Sequence, residues 1–313
     1  MQAVLDALAA LGGKPIETLA PQAARKQQGP ADAVKALLKK QGKSTAPEAV
    51  GKVENRTVPG PLGPIPVRVY APAGSGPFPL LVYFHGGGWV IGSLDGYDSS
   101  CRALTNAAQC AVVSVDYHLA PEHQFPAAHE DAYAATQYVM AHAATFNGDP
   151  KRIAVGGESA GGNLAAAVAL MARDRKGMRP VHELLVYPIA NYATDSPSYL
   201  ENANAKPLSA AMMAWFFKHY LRSPADGQNP LVSLLKAKSL QGLPPATVIV
   251  AQIDPLRSEG EAYAGKLKAA GVPVHTKRYD GVTHEFFGMG AVVDKAKQAV
   301  GMAATDLRAA FRR

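Results

Sequence analysis

The chain has 313 residues, of which 48% are hydrophobic and 18% charged, and its apolar runs are no longer than strands, which excludes a disordered chain and a membrane-spanning one. The net charge of +7 is divided between the two ends, with +3 in residues 1–54, +3 in residues 291–313 and +1 between them. Because nucleic-acid binders usually carry a basic stripe interleaved with aromatic residues, we expect no nucleic-acid partner.

The predicted elements begin with helices and continue with strands that alternate with helices. Apolar spacing predicts helices within residues 1–48, Pro and Gly punctuate short extended pieces over residues 44–64, and Pro66–Tyr70 alternates as an edge strand would. Further strands are predicted at Leu80–Phe84, Ala111–Val115, Ile153–Val155, Glu183–Ile189, Thr247–Ile253 and Val274–Tyr279. Further helices are predicted at Asp131–Phe146, Asn163–Arg173, Ser258–Ala270 and residues 291–311. This order predicts an α/β fold with a mostly parallel central sheet and helices on both faces.

One stretch, residues 191–225, interrupts the alternation of strands and helices. It has no strand candidate and is rich in large apolar side chains, namely Met212, Met213, Trp215, Phe216, Phe217 and Tyr220. Two interpretations stay open from these residues alone. The stretch is either a helix of the core or a helical cover over the active edge of the sheet.

The strongest local signal is the pentapeptide Gly-Glu-Ser-Ala-Gly at residues 157–161, which follows a predicted strand and opens a predicted helix. A nucleophile elbow has this context. Its serine sits on a strained turn whose flanking residues approach each other closely, so both must be small, as Gly157 and Gly161 are. The pattern predicts Ser159 as a nucleophile, whereas we expect Glu158 to be structural.

A second glycine run, from His85 to Trp89, follows the predicted strand at residues 80–84. Three consecutive glycines allow backbone N–H groups to turn inward, and two such donors with the N–H of Ala160 would form an oxyanion hole. Taken alone, the run is more typical of a simple glycine-rich turn. A phosphate-binding loop would need a Gly-Lys-Ser/Thr ending, and Trp89 stands there instead.

A serine nucleophile needs a base, and the base needs a carboxylate to orient it. His284 lies in a loop just after one predicted strand, and Asp254 directly follows another. Loops at the carboxyl ends of parallel strands carry the chemistry of α/β enzymes. The chain order Ser159, Asp254, His284 is that of the α/β-hydrolases and differs from the chymotrypsin and subtilisin orders.

The remaining histidines suggest no metal chemistry. His129, His142 and His219 are expected on helix surfaces, and no pair of histidines has the HExxH spacing. The sequence implies no metal and no organic cofactor. Cys101 and Cys110 are expected to be buried free thiols.

Five ordered motifs together resemble the bacterial hormone-sensitive-lipase-like carboxylesterases. They are HGGGW at 85–89, DYHLAPEHQFPAA at 116–128, GESAGGNLA at 157–165, DPLR at 254–257 and DGVTHEFF at 280–287. The resemblance implies an α/β-hydrolase fold whose core, residues 49–190 and 226–313, carries a helical cap. The cap would consist of residues 1–48 and an insertion at residues 191–225, which favours the cover over the core helix.

The resemblance also implies roles for single residues. It assigns Ser159, Asp254 and His284 to a catalytic triad, and Gly87, Gly88 and Ala160 to the oxyanion hole, with His85 and residues 116–128 bracing the loop. The substrate pocket is expected to be walled by Trp89, Met213, Phe216 and Phe217. One departure is Ser258, where relatives often have a second Asp, and there we expect tuning of activity and not loss.

The expected function is that of a serine carboxylesterase that hydrolyses short- to medium-chain acyl esters through an acyl-enzyme. Two alternatives stay open: a non-catalytic ligand-binding module on the same fold, and a hydrolase of amides, lactones or thioesters. The expected partner is a small-molecule ester, with no membrane insertion and with a homodimer as an open option. The N-terminus lacks the basic region of a secretory signal, so a cytoplasmic location is expected.

Overall fold

The computed structural model describes residues 1–312, and within them the chain forms eight strands joined in a single sheet. The strands are β1 (Lys52–Gly60), β2 (Gly63–Ala71), β3 (Phe78–Phe84), β4 (Ala111–Val115), β5 (Gly148–Glu158), β6 (Glu183–Val186), β7 (Ala246–Ile253) and β8 (Val274–Thr283). The sheet order is β1-β2-β4-β3-β5-β6-β7-β8. The β1/β2 and β2/β4 pairs are antiparallel and all others are parallel, so the predicted α/β fold with a mostly parallel sheet is confirmed.

Within the described residues, α-helices lie before the first strand, between strands and after the last strand. The α-helices are α1 (Gln2–Ala10), α2 (Pro21–Ala24), α3 (Pro30–Lys40), α4 (Asp98–Ala108), α5 (Ala127–Ala141), α6 (Ala160–Asp174), α7 (Pro197–Glu201), α8 (Ala210–Tyr220), α9 (Pro224–Gly227), α10 (Arg257–Ala269) and α11 (Asp294–Ala310). Short 3₁₀ helices occur at Ile16–Thr18, Ala143–Phe146, Leu234–Lys236 and Phe286–Met289.

The sheet separates two apolar cores because successive side chains of a strand point to opposite faces. In β3, Leu80 and Val82 belong to one core together with α5, α6 and α10, whereas Leu81 and Tyr83 belong to the other together with α4 and α11. The helices α1 and α3 pack on the second face. Strands covered on both sides explain why the central strands are continuous apolar runs.

The order of the central strands creates one crevice at their carboxyl ends. The strands β3 and β5 are neighbours in the sheet. From β3 the chain continues to β4 on one side of this pair, and from β5 it continues to β6 on the opposite side. Ligand sites of open α/β sheets lie at such a switch point. Phe84 pairs with Gly157 in the register, so the two glycine turns that follow these strands lie side by side.

Two helical segments interrupt or precede the alternation of strands and helices, the N-terminal segment (residues 1–48) and the insert between β6 and β7 (residues 191–225), and both contribute side chains to the apolar cores. They contact each other, since the Trp215 indole N–H of α8 donates to the Leu19 carbonyl at 3.1 Å. The insert also reaches the loop after β3, because the Tyr220 ring stacks on Trp89 with centroids 4.4 Å apart.

Three parts of the predicted order of elements differ from the structure. Pro66–Tyr70 belongs to β2, which lies inside the sheet between β1 and β4, so it is not an edge strand. The helix α4 was not predicted. The stretch Asp280–Thr283, expected in a loop, continues β8.

Candidate active site

Ser159 lies on the sharp turn between β5 and α6. Its backbone has φ 58° and ψ −117°, a strained conformation for a residue with a side chain. The turn is tight because Gly157 and Gly161 touch: a Cβ on Gly157 would collide with the Gly161 carbonyl. The nucleophile elbow predicted from the pentapeptide is therefore present, with the side chain of Ser159 at the amino end of α6.

His284 and Asp254 come to Ser159 from the ends of two neighbouring strands. The Ser159 Oγ lies 2.9 Å from His284 Nε2, and His284 Nδ1 lies 2.7 Å from Asp254 Oδ2. The Leu256 N–H donates to the other oxygen of Asp254 at 2.8 Å, which fixes the carboxylate. The three side chains are 4%, 3% and 0% exposed, so the hydrogen-bonded chain is shielded from water.

The electrostatic surroundings of His284 favour its protonated form. Burial lowers the pKa of His284, but the charge and hydrogen bond of Asp254, together with the carboxyl groups of Glu285 and Glu158, raise it above its usual value. A base with a raised pKa accepts a proton more readily from Ser159.

The glycine loop after β3 lies beside the elbow. Gly87 has φ 97° and Gly88 has φ 58°, conformations that glycine adopts without strain. Within residues 1–312, neither N–H donates to a turn or a side chain, and the Ala160 N–H belongs to the first turn of α6, where it has no partner in the helix. The arrangement leaves three backbone donors near Ser159.

The loop is braced from below by residues that the sequence analysis placed there. His85 is fully buried and stacks on Tyr117 with ring centroids 4.3 Å apart, and the Tyr117 hydroxyl donates to the His85 carbonyl at 2.8 Å. The Ala120 N–H donates to the Trp89 carbonyl at 2.9 Å.

The N-terminal segment braces the same loop from the other side. Arg25 donates to the carbonyl of Val90 at 2.8 Å and to that of Ala120 at 2.6 Å, and it pairs with Glu122 at 2.6 Å. A segment more than sixty residues earlier in the chain therefore contacts the backbone just beyond the glycine run.

The four side chains expected to wall the pocket lie in different places. The Phe216 ring packs directly on Gly88, where a Cβ would collide with it. Trp89 is fully buried between Tyr220 and Phe217, behind the glycine run. Phe217 and Met213 are buried in the same apolar core.

Glu158 lies beneath the elbow as a buried carboxyl group held by two tyrosines. The Tyr83 hydroxyl donates to it at 2.5 Å, and the Tyr187 hydroxyl donates to its second oxygen. Burial and the nearby Glu285 raise the pKa of Glu158 to about 7. These contacts agree with the structural role that we expected.

Sequence reasoning missed three residues that touch this site. The Tyr187 ring packs on His284 with centroids 4.5 Å apart, and Glu285 lies 3.9 Å from His284 Nε2 and accepts a hydrogen bond from Tyr97. Tyr187 directly follows β6 at the active edge, a position that could have marked it. Tyr97 precedes the unpredicted α4 and gave no signal.

One histidine was misplaced by the sequence analysis. His129 is fully buried, with Nδ1 2.6 Å from the Tyr220 hydroxyl and Nε2 3.0 Å from Asn163 Oδ1. The expectation of a helix surface was wrong because the insert covers this face of α5.

Neither a metal centre nor a membrane span is found in the part of the chain that the structure describes. Residues 1–312 hold no group of three or more His, Cys, Asp or Glu side chains placed to ligate a metal ion. No helix among these residues combines the length and hydrophobicity that crossing a bilayer requires.

Comparisons with known proteins agree with this geometry. Residues 81–288 match a family described by its alpha/beta hydrolase fold. The carboxylic ester hydrolase LipN of Mycobacterium tuberculosis is 45% identical over 243 residues, which cover 76% of this chain and 65% of LipN. The esterase LipI of the same organism is 42% identical over 262 residues, 82% of each chain.

A solved esterase structure from Pyrobaculum calidifontis has 39% sequence identity and a TM-score of 0.87, covering 97% of this chain and 96% of that one. The match includes the N-terminal segment and the insert as well as the sheet, since almost the whole chain is covered. The chain therefore belongs to the α/β-hydrolase fold family and, within it, to the hormone-sensitive-lipase-like carboxylesterases.

Proposed function

We propose that this protein hydrolyses carboxylic esters through an acyl-enzyme formed on Ser159. The observation that carries the proposal is the continuous hydrogen-bonded chain from Ser159 through His284 to Asp254, at 2.9 and 2.7 Å. This hydrogen-bonded chain lies beside the glycine loop and its free backbone N–H groups. Nucleophile, base and orienting carboxylate are thus in hydrogen-bonding reach of one another, as acyl transfer requires.

In the first step, the Ser159 Oγ attacks the ester carbonyl while its proton moves to His284 Nε2. Asp254 holds Nδ1–H, which fixes the imidazole tautomer, and its negative charge stabilises the imidazolium that forms. The N–H groups of Gly87, Gly88 and Ala160 are proposed to hold the oxyanion of the tetrahedral intermediate.

In the second step, the intermediate collapses and the alcohol leaves with the proton from His284 Nε2. Water then enters, gives a proton to the same nitrogen and attacks the acyl carbonyl. The second collapse returns the proton to Ser159 and releases the acid. Because His284 must be neutral at the start, activity falls as the pH drops through its raised pKa.

We propose that the N-terminal segment and the insert form a cap over this site, and that the cap limits the acyl chain to short or medium length. The Phe216 ring supports this, since it lies on Gly88 beside the proposed oxyanion hole. Met213 and Phe217 add apolar bulk from the same helix. Trp89 would act by supporting Gly88 from behind.

We further propose a cytoplasmic location, and a homodimer is the oligomeric state to be tested. Cys101 and Cys110 are both free and buried, which suits a reducing compartment. Light scattering after gel filtration would give the number of chains in solution.

The test is hydrolysis of p-nitrophenyl esters from C2 to C12, together with labelling by an organophosphonate. We expect the highest kcat/KM on short acyl chains and one phosphonate per chain on Ser159, located by mass spectrometry of the peptides. In Ser159→Ala, kcat should fall by about 10⁴–10⁶, because removal of one triad member disables the whole unit.

The matched control is Ser75→Ala, since Ser75 is exposed and precedes the amino end of β3, opposite to the end from which the glycine loop leaves. It should keep the full rate and the full labelling. Ester hydrolysis that survives in Ser159→Ala, or a wild type that neither turns over esters nor takes the phosphonate, would reject the proposed function.

A further inference from the structure

A second carboxyl group lies beside the reactive nitrogen of His284. Glu285 Oε1 is 3.9 Å from His284 Nε2, the same atom that the Ser159 Oγ contacts at 2.9 Å. This separation is too long for a hydrogen bond. It is short enough for a carboxylate to attract an imidazolium.

The backbone and one tyrosine hold Glu285 at this distance. Glu285 has φ 66° and ψ 4°, a left-handed conformation that residues with a side chain rarely adopt. Its Oε1 accepts a hydrogen bond from the Tyr97 hydroxyl at 2.8 Å. The oxygen that faces His284 is therefore the oxygen that Tyr97 tethers.

Tyr97 is itself fixed against the glycine loop. Only 8% of it is exposed, its ring lies 5.8 Å from that of His85, and a Cβ on Gly86 would collide with its hydroxyl. Burial raises the pKa of Tyr97 well above its usual value, so the hydroxyl keeps its proton and remains a donor. One side chain thus connects the loop after β3 with the loop after β8.

The other groups around His284 act elsewhere on the ring. Asp254 occupies Nδ1, and Tyr187 packs against the ring face. Glu158 lies behind Tyr187, whose hydroxyl it binds. Within residues 1–312, Glu285 is the acidic group that comes within 4 Å of Nε2.

We propose that Glu285 is a positioning residue for the ester hydrolysis proposed above, on which this inference rests: its carboxylate, tethered by Tyr97, steadies the imidazolium form of His284. When the Ser159 O–H bond breaks and the Nε2–H bond forms, a positive charge appears 3.9 Å from this carboxylate. The attraction is absent while His284 is neutral, so it favours the transition state over the ground state. The tether keeps Glu285 from displacing Ser159 at Nε2.

The first experiment compares Glu285→Gln with wild type over pH 5–9. The glutamine oxygen still accepts from Tyr97, and the charge is gone. The acidic limb of kcat/KM should move to lower pH by about one unit, because a carboxylate near the imidazole no longer favours its protonation. The control, Glu261→Gln, removes a charge from an exposed position on α10 and should leave the profile in place.

The second experiment removes the tether. In Tyr97→Phe the carboxylate is free to bind Nε2 in place of Ser159, so kcat should fall by about tenfold or more. Glu285→Gln in the same background removes the competing charge and should restore part of that rate. Far-ultraviolet circular dichroism and phosphonate labelling of Ser159 report whether each variant keeps its fold and nucleophile.

An acidic limb that does not move in Glu285→Gln overturns the inference, even if kcat falls, because a purely structural role would lower kcat without a shift. A double variant no faster than Tyr97→Phe overturns it as well. In both cases wild-type ester hydrolysis and labelling still stand, so these outcomes are distinct from failure of the proposed function.

Discussion

Two glycine turns meet at the carboxyl ends of β3 and β5, and they are held in different ways. At the elbow around Ser159, backbone contacts backbone. A Cβ on Gly161 would collide with the carbonyl of Phe84, and one on Gly157 with the carbonyl of Gly161. The elements that shape this turn lie within one strand, the start of one helix and the adjacent strand.

In the glycine run at residues 86–88, the middle residue Gly87 lies against the backbone of Ile91, whereas the two outer glycines contact side chains from elsewhere. Tyr97 lies against Gly86, and Phe216 of the insert lies on Gly88. Arg25 of the N-terminal segment donates to the Val90 carbonyl just after the run and to the Ala120 carbonyl of the segment that braces it. Side chains can move away from an added methyl group more easily than backbone can. Substitutions at the elbow should therefore lower the free energy of unfolding, whereas substitutions in the loop should mainly lower kcat/KM.

The largest expected effect is at the elbow. Gly161→Ala places a methyl group against the carbonyls of Phe84 and His85, and neither can move without disturbing β3. We expect a loss of about 3 kcal/mol or more in the free energy of unfolding, measured by urea denaturation. Gly265→Ala is the control, since a Cβ there meets nothing within 4 Å. Equal unfolding midpoints for the two variants would contradict the claim that close backbone contacts make the elbow intolerant of substitution.

At the loop, Gly88→Ala adds a methyl group at φ 58° against the Phe216 ring. The protein should stay folded, and kcat/KM should fall by about 10²-fold, as when one oxyanion donor is lost. Phe216→Ala in the same background removes the collision with the ring but not the strain at φ 58°, and it should recover part of the rate. Steady-state kinetics of the single and double variants measure this. Absence of recovery would show that the strained backbone at residue 88, and not the Phe216 contact, causes the loss.

The smallest effect is expected from the N-terminal segment. Arg25→Ala removes the hydrogen bonds to the carbonyls of Val90 and Ala120 and the ion pair with Glu122. We expect kcat to fall by about tenfold with little change in KM, because the loop N–H groups that Arg25 steadies are proposed to bind the oxyanion and not the bound ester. Lys26→Ala changes the exposed neighbouring cation and should have no effect. A change confined to KM would place the role of Arg25 in binding.

The same contrast explains what could be predicted from the sequence. The elbow was predictable because its requirements, small residues around a serine between strand and helix, are local. The placement of Asp254 and His284 followed from parallel strands that end at one edge of the sheet. The sequence pattern of residues 85–89 indicated a donor loop only together with the other motifs, because taken alone it favours a simple glycine-rich turn.

The contacts that complete the site could not be predicted. Tyr97 precedes α4, and the Ser, Thr and Asn residues of α4 obscure the apolar pattern of that helix in the sequence. The hydrogen bond from Tyr97 to Glu285 joins positions that are 188 residues apart. The misplacement of residues 66–70 has a similar cause. The true edge strand β1 is mostly exposed, so it lacks the alternation that marks a half-buried strand.

Both native cysteines are buried, so the folded protein should not react with thiol reagents. Burial raises the pKa of Cys110 to about 12 and that of Cys101 further still, so neither forms the reactive thiolate at neutral pH. A cysteine placed at Leu200, which is 72% exposed on α7, would then be the site that a maleimide fluorophore labels. Such a reporter would follow the movement of the insert during turnover without removing either native cysteine.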